Sequence, residues 1–222
     1  LTEKILNKKP KKFFAIEKDK EISKFFFKKF INNKKLTIVN DDIFNFLKYK
    51  NNMKNVIVFG NLPYNISTKI LANLILLNKW PPWYEKLIFM FQKEVADRIL
   101  AKSHTREFNR LAVLSNWRLE VKKHFDVSNH CFFPKPKINS TILSFIPKKN
   151  NIYNLKNPNN IEVITRVLFS NRRKKINKNF KKLFKKNFIN ISSLDIDLNK
   201  RPEELSKETF YKIALEYEKL FN

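Results

Sequence analysis

The sequence predicts an α/β protein, a mainly parallel sheet covered by helices on both faces, followed by a small all-α C-terminal domain. Two observations lead there. The first half of the chain holds four short, nearly all-apolar runs, each followed by residues at helical spacing, which is the alternation of strands buried on both faces. From Ile161 onward only helical periodicity remains.

Taken in order, Thr2, Glu3, Ile5 and Leu6 read as the turns of a helix, and Phe13 to Glu17 as a first strand ending in an acid. Glu21 to Ile31 returns to helical spacing. Leu36 to Val39 is a second strand ending in Asn40-Asp41-Asp42, Val56 to Phe59 a third ending at Asn61, and Leu87 to Phe91 a fourth ending at Gln92. Trp80-Pro81-Pro82-Trp83 reads as a rigid loop before the fourth strand. Beyond Trp117 the pattern alternates over Arg118 to Val127 and again over Ser140 to Ile146, a strand pair at one end of the sheet joined through Pro134-Lys135-Pro136. The expected organisation is a sheet domain over 1–147, a Lys/Asn-rich linker over 148–160 and a helical domain over 161–222. Within the last, Ile176, Phe180, Leu183, Phe184 and Phe188 form an apolar stripe, with lysines on the remaining faces.

Composition limits the function classes. A chain of 222 residues, 43% apolar and 14% aromatic, buries a real core, so disorder throughout is excluded. A net charge of +26 points to a polyanionic partner, with nucleic acid ahead of an anionic membrane, although part of the lysine excess fits compositional drift on solvated faces. One cysteine and three histidines leave no disulfide framework and no zinc-finger spacing, so no metal is expected. A reducing, cytoplasmic setting is expected. No apolar run approaches the ~20 residues of a membrane span.

In parallel α/β sheets ligands lie at the carboxyl ends of the strands, where Glu17, Asp42 and Asn61 all fall. Each of the two acids standing alone reads by default as a helix cap; their shared position at strand ends argues for a ligand. The turn Asn61-Leu62-Pro63-Tyr64 has its own chemistry. An exocyclic amino group on a base is a poor nucleophile because its lone pair is delocalised into the ring. Two acceptors, the Asn61 side-chain oxygen and the Leu62 carbonyl, would hold its two hydrogens and favour a pyramidal nitrogen. Pro63 would stiffen the turn and Tyr64 would stack on the ring. On its own the tetrapeptide reads about equally well as a plain strand-to-helix loop capped at Ser67. As a functional turn it should turn the Asn61 amide inward, with a cavity for a ring beside Tyr64.

Four segments in register carry a resemblance: Asn61-Leu62-Pro63-Tyr64-Asn65-Ile66-Ser67, Gln92-Lys93-Glu94-Val95-Ala96-Asp97-Arg98, Phe133-Pro134-Lys135-Pro136-Lys137-Ile138-Asn139-Ser140 and Phe169-Ser170-Asn171-Arg172-Arg173-Lys174. Together they closely resemble the small-subunit ribosomal RNA adenine N6-dimethyltransferases, over nearly the whole chain. The resemblance implies a Rossmann-like sheet that uses S-adenosylmethionine to dimethylate the N6 of two adjacent adenosines near the 3′ end of small-subunit ribosomal RNA. It implies that Asn61, Leu62, Pro63 and Tyr64 are catalytic, that Phe133 lines the target-base pocket opposite Tyr64, and that Glu17 and Asp42, with Asn61, hold the methyl donor. Glu17 would take its ribose hydroxyls and Asp42 its adenine amino group. Arg172, Arg173 and Lys174 would meet RNA or brace the domain junction. The expected partner is immature small-subunit RNA, bound by a monomer without a membrane.

The same resemblance implies that a first strand, a glycine-rich loop and a Gln-Asn-Phe-Leu segment belong before Leu1; Gly60 is the only glycine in the sequence. These residues alone are therefore expected neither to bind S-adenosylmethionine measurably nor to methylate RNA, and their exposed sheet edges to favour aggregation. The similar large-subunit enzymes of macrolide resistance are one alternative, less well matched at Phe169 to Lys174 and at Arg201-Pro202-Glu203-Glu204-Leu205-Ser206. A non-catalytic RNA-binding assembly or transcription factor of the same fold is another.

Overall fold

The computed structural model describes residues 1–49, 53–184, 194 and 196–221, and these form two compact units, Leu1–Met53 and Lys54–Asn222. Lys185, Lys186 and Phe188, the last placed above on the apolar stripe, lie outside the described residues.

In the first unit, α1 (Thr2–Leu6) leads to β1 (Phe13–Glu17), α2 (Lys20–Lys29), β2 (Leu36–Asn40) and α3 (Ile43–Tyr49). The two strands run parallel with Phe13 opposite Leu36 and Glu17 opposite Asn40, so their carboxyl ends lie side by side. Asp19 starts α2 by accepting the N–H groups of Glu21 and Ile22 at 2.8 and 3.0 Å, satisfying donors that a helix start leaves open. Asp42 does the same for α3, its Oδ1 accepting from Phe44 N at 2.9 Å.

The second unit contains β3 (Val56–Gly60), α4 (Tyr64–Ile75), β4 (Tyr84–Gln92), α5 (Lys93–Leu100), α6 (Arg110–Arg118), β5 (Leu119–Val127) and β6 (Ser140–Pro147). The helical part follows with α7 (Asn159–Leu168), α8 (Asn177–Phe184) and α9 (Lys207–Phe221). Its sheet has the order β3-β4-β6-β5, with β3 and β4 parallel and β6 antiparallel to both of its neighbours. The four apolar runs therefore form two separate parallel pairs rather than one continuous ladder. Among the described residues, β1 pairs only with β2 and β3 only with β4.

The core of this unit lies between α4, α6 and the sheet, where Leu71, Ile75, Leu87, Phe91, Trp117 and Phe145 are all buried. Phe89, Phe91 and Phe145 meet in tilted and edge-on pairs, worth about 1 kcal/mol each beyond their buried area. A second aromatic cluster of Phe108, Phe169 and Phe210 joins the α5–α6 loop to the helical part. Ile176, Phe180, Leu183 and Phe184 are buried together, as their spacing predicts.

Two elements differ from the sequence expectation. The fourth strand starts at Tyr84, because the Tyr84 ring is buried and its hydroxyl donates to Leu74 O at 3.0 Å while Glu85 faces water. The stretch 148–160 is pinned. Leu155 is buried, Trp117 Nε1 donates to Tyr153 O at 2.8 Å, and Glu218 accepts the N–H groups of Lys156 and Asn157, both at 2.8 Å.

Candidate active site

Three of the four segments singled out in the sequence meet at one end of the second unit's sheet. Because β3 and β4 are parallel, the Asn61–Tyr64 turn and Gln92-Lys93 leave the sheet on the same side. β6 is antiparallel, so its first residue arrives there too, with Ser140 opposite Gln92. Two hydrogen bonds join them: Tyr64 and Ser140 share a hydroxyl–hydroxyl bond of 2.8 Å, and Lys93 N donates to Asn139 O at 3.0 Å. Ser140 is buried and Tyr64 half-buried, so the bond holds the ring where the turn becomes α4.

Gly60 sets the approach. It pairs with Phe89 in the ladder, and a Cβ at Gly60 would lie 2.7 Å from Phe89 Cδ1 and 2.8 Å from Leu62 Cγ. Its backbone angles are ordinary; what forbids a side chain is lack of space. With the buried Phe89 ring on one side and the half-buried Leu62 side chain on the other, an added methyl group would have to displace one of them, so the sole glycine lets the turn come down onto the sheet.

α4 starts at Tyr64 with Pro63 as its cap, three residues before the alternative start at Ser67. Ser67 is buried in the first turn, where its hydroxyl donates to Tyr64 O at 3.1 Å. Among the described residues neither the Asn61 amide nor the Leu62 carbonyl has a hydrogen-bond partner. Asn61 is exposed, so the site is an open ledge. Two open cavities lie elsewhere, around Phe30 and around His104. Phe133 is fully exposed on the loop before β6, a loop braced by Asn129 Nδ2 donating to Pro136 O and Asn129 N donating to Asn139 Oδ1.

In the first unit, Glu17 and Asp42 stand at the carboxyl ends of β1 and β2. Glu17 Oε1 accepts from Asp19 N at 2.9 Å, which fixes the carboxylate and leaves Oε2 open among the described residues, the arrangement a ribose diol needs. Asp42 is more committed. Its Oδ1 caps α3 and its Oδ2 takes Lys18 Nζ at 3.0 Å, so a ligand amino group there must share with or replace the lysine.

The fourth segment performs a structural task. Arg172 Nε donates to Glu203 Oε2 at 2.8 Å, and its Nη2 to the Arg106 carbonyl, tying the α5–α6 loop to the helical part; Arg173 and Lys174 are exposed. Sequence reasoning missed the role of Ser140, the polar partner of Tyr64, whose only signal was its place at the end of a recognised segment. Asp126 is held below the usual carboxylate range, first by the hydrogen bond from Thr141 and then by Lys123. Among the described residues no group of three or more His, Cys, Asp and Glu is placed to hold a metal ion, and no helix is long and apolar enough to cross a membrane.

Parallel strands carrying acids and a polar turn at their carboxyl ends, with an antiparallel last strand and a helical C-terminal part, define a methyltransferase of the Rossmann-like class. A profile of the ribosomal RNA adenine dimethylase family matches residues 1–219. The ribosomal RNA small subunit methyltransferase A of Pelagibacter ubique is 43% identical over 220 residues, covering 99% of this chain and 83% of that protein. The protein of the same name from Borreliella burgdorferi is 38% identical over 217 residues, covering 95% and 72%. Among solved structures, a dimethyladenosine transferase from Plasmodium falciparum is similar with a TM-score of 0.71 at 26% identity, covering 94% of this chain and 82% of that one. The 23S rRNA methyltransferase ErmE, at 16% identity and a TM-score of 0.64, shares the fold. The chain belongs to the ribosomal RNA adenine dimethylase family.

Proposed function

We propose that this protein dimethylates the N6 of two adjacent adenosines near the 3′ end of small-subunit ribosomal RNA, with S-adenosylmethionine as methyl donor. The observation that carries the mechanism is the pair of uncommitted acceptors, the Asn61 side-chain oxygen and the Leu62 carbonyl, presented by a turn that Gly60 and Pro63 leave little room to relax. An adenine amino group donating to both turns its lone pair out of conjugation. Tyr64, fixed through Ser140, supplies a face for the base, and Phe133 a second one. Flipping the base out of its stack costs a few kcal/mol, which such stacking partly offsets.

Glu17 and Asp42 are the proposed holders of the donor's ribose and adenine. When bound, the donor would supply an electrophilic sulfonium methyl carbon to the adenine nitrogen's lone pair, the electron pair of its C–S bond staying on sulfur. The nitrogen then loses its proton to water, so the chain needs no strong base, in keeping with the absence of a histidine from the turn. The protein is proposed to act as a cytoplasmic monomer on immature small subunits, with Arg173 and Lys174 on the RNA side and Arg172 bracing the helical part.

The test is methyl transfer by the full reading frame to unmethylated small-subunit particles and, separately, to large-subunit RNA, with Asn61→Ala as control. N6,N6-dimethyladenosine should form in the small-subunit RNA alone and be lost in the variant. Product in large-subunit RNA would instead support the macrolide-resistance type, and unchanged turnover in the variant would remove Asn61 from the mechanism.

A further inference from the structure

Lysines in the first unit outnumber acids at one end of the strand pair only. Because β1 and β2 are parallel, their carboxyl ends share one side, and there Glu17, Asp19, Glu21, Asp41 and Asp42 stand with Lys18 and Lys20, Lys18 being paired to Asp42. The amino end carries three lysine pairs: Lys11-Lys12 entering β1, Lys28-Lys29 in the last turn of α2 and Lys34-Lys35 entering β2, all exposed. Phe13 N donates to Lys35 O at 2.8 Å, so the two strand entries run side by side. A tight turn folds the end of α2 against them: Asn33 N donates to Phe30 O at 2.9 Å, and Lys35 N donates to Asn33 Oδ1 at 3.1 Å. An open cavity of about 580 Å³ results, lined by Lys29, Phe30, Asn32, Asn33, Lys34 and Lys35.

The balancing acid at this end is Glu3, which pairs with Lys29 at 2.8 Å; among the described residues the other five of these lysines have no ion-pair partner. Drift toward lysine would scatter charge over every solvated face, whereas here the amino end sets six lysines against Glu3, and at the carboxyl end the lysines stand among five acids. The C-terminal dipole of α2 accounts for Lys28 and Lys29. It does not account for Lys11, Lys12, Lys34 and Lys35, which concentrate positive charge at the strand entries and favour an anion there.

We propose that this amino end is a docking surface for RNA backbone phosphates, on the edge of the β1–β2 pair opposite Glu17 and Asp42. Asn32 and Asn33 add amide donors, and Phe30 a ring face, to the open lysine-lined surface, groups that can meet the phosphates, hydroxyls and bases of a nucleic-acid strand. The proposal rests on reading the chain as a ribosomal RNA methyltransferase, since that supplies the polyanion.

The test is equilibrium binding of small-subunit ribosomal RNA across a salt series, without methyl donor, by the full reading frame and three variants. One carries Lys11→Gln, Lys12→Gln, Lys34→Gln and Lys35→Gln; the second has arginine at the same four positions. The third removes equal charge from scattered exposed lysines, by Lys79→Gln, Lys102→Gln, Lys122→Gln and Lys149→Gln. The clustered glutamine variant should bind about 10- to 100-fold more weakly near ~150 mM salt, with a log–log salt slope smaller by about 3. The arginine variant should bind like wild type, and the scattered variant should lose less than about threefold. A matching thermal melt of the clustered glutamine and arginine variants shows that the fold is kept. Equal losses from the clustered and scattered sets, or no loss from the clustered set, overturn the surface. So does a defect seen only on anionic phosphatidylserine vesicles, which assigns the lysines to a membrane. Because binding is read without transfer, the expected loss supports the surface even where the wild-type protein transfers no methyl group, an outcome that strikes the enzyme reading alone.

Discussion

Two polar clusters in the second unit contrast in how their hydrogen-bonding capacity is used. Around Arg118 and Glu218, buried charge is almost saturated. Arg118 lies over the rings of Trp117 and Trp80, with Nη1 donating to Ile75 O and Leu77 O, and burial lowers its guanidinium to about 10. Glu218 accepts from Lys156 N, Asn157 N and Asn160 Nδ2 at 2.8 to 2.9 Å. At the Asn61–Tyr64 turn the Asn61 amide and the Leu62 carbonyl have no hydrogen-bond partner among the described residues, and Asn61 is exposed. The difference separates polar residues that hold the fold from polar residues whose bonding capacity the fold does not use, which is what the proposed ligand site requires.

The largest expected effect tests the open cluster. Asn61→Ala should lower methyl transfer by the full reading frame about 100- to 1,000-fold, the size found when one preorganised polar group is removed from a transition-state site. The urea midpoint should be unchanged, since no intramolecular bond is lost; a large stability loss would place Asn61 with the saturated kind. Arg118→Met is the mirror case. It should cost about 3 kcal/mol in urea unfolding by stranding the buried Ile75 carbonyl and the half-buried Leu77 carbonyl, while activity per folded molecule stays near wild type.

Gly60→Ala sits between the clusters, because its added methyl group must displace either the Phe89 ring or Leu62. A stability cost of about 1–3 kcal/mol is expected, with kcat falling more than KM rises as the turn leaves its register. If stability drops and turnover per folded molecule does not, the close approach serves packing alone. Phe133→Ala should raise KM for RNA by about 5- to 100-fold through lost stacking and leave the melting temperature unchanged, as the ring is fully exposed.

The smallest effect is on pH dependence. Hydrogen bonding from Thr141 and Lys123 depresses the Asp126 carboxyl, so its contribution is present above the unfolded carboxylate value near ~3.9 and lost as pH falls through the lower folded value. Thr141→Val should flatten the acid limb of the stability curve slightly and leave the neutral limb in place.

Much of the fold was legible because strand burial and helix spacing are local. Val56 to Phe59 and Leu36 to Val39 needed no partner to be read as strands, and the stripe of Ile176, Phe180, Leu183 and Phe184 none to be read as a buried face. The segment 148–160 was opaque because what pins it, the Glu218 carboxylate, lies some sixty residues away, while its own Lys/Asn composition matches a free loop. The separation into two ladders was equally invisible, since an apolar run carries no mark of which edge finds a partner. At the candidate site, Asn61, Pro63 and Tyr64 declared themselves by type and order. The steric role of Gly60 and the Tyr64–Ser140 bond needed the third dimension, because they join residues that only strand pairing brings near. The exposure of Asn61 at the sheet end also needed the structure, since nothing in a tetrapeptide encodes what surrounds it.

Inserting β6 between β4 and β5 and running it backwards makes the hairpin 128–139 an interchangeable fitting. Both of its ends are anchored in the β-ladder, so residues can be added to or removed from the hairpin tip without shifting a single strand register. Relatives that keep the same sheet can thus change the loop that enters β6 beside the Asn61–Tyr64 turn while the strand registers stay fixed.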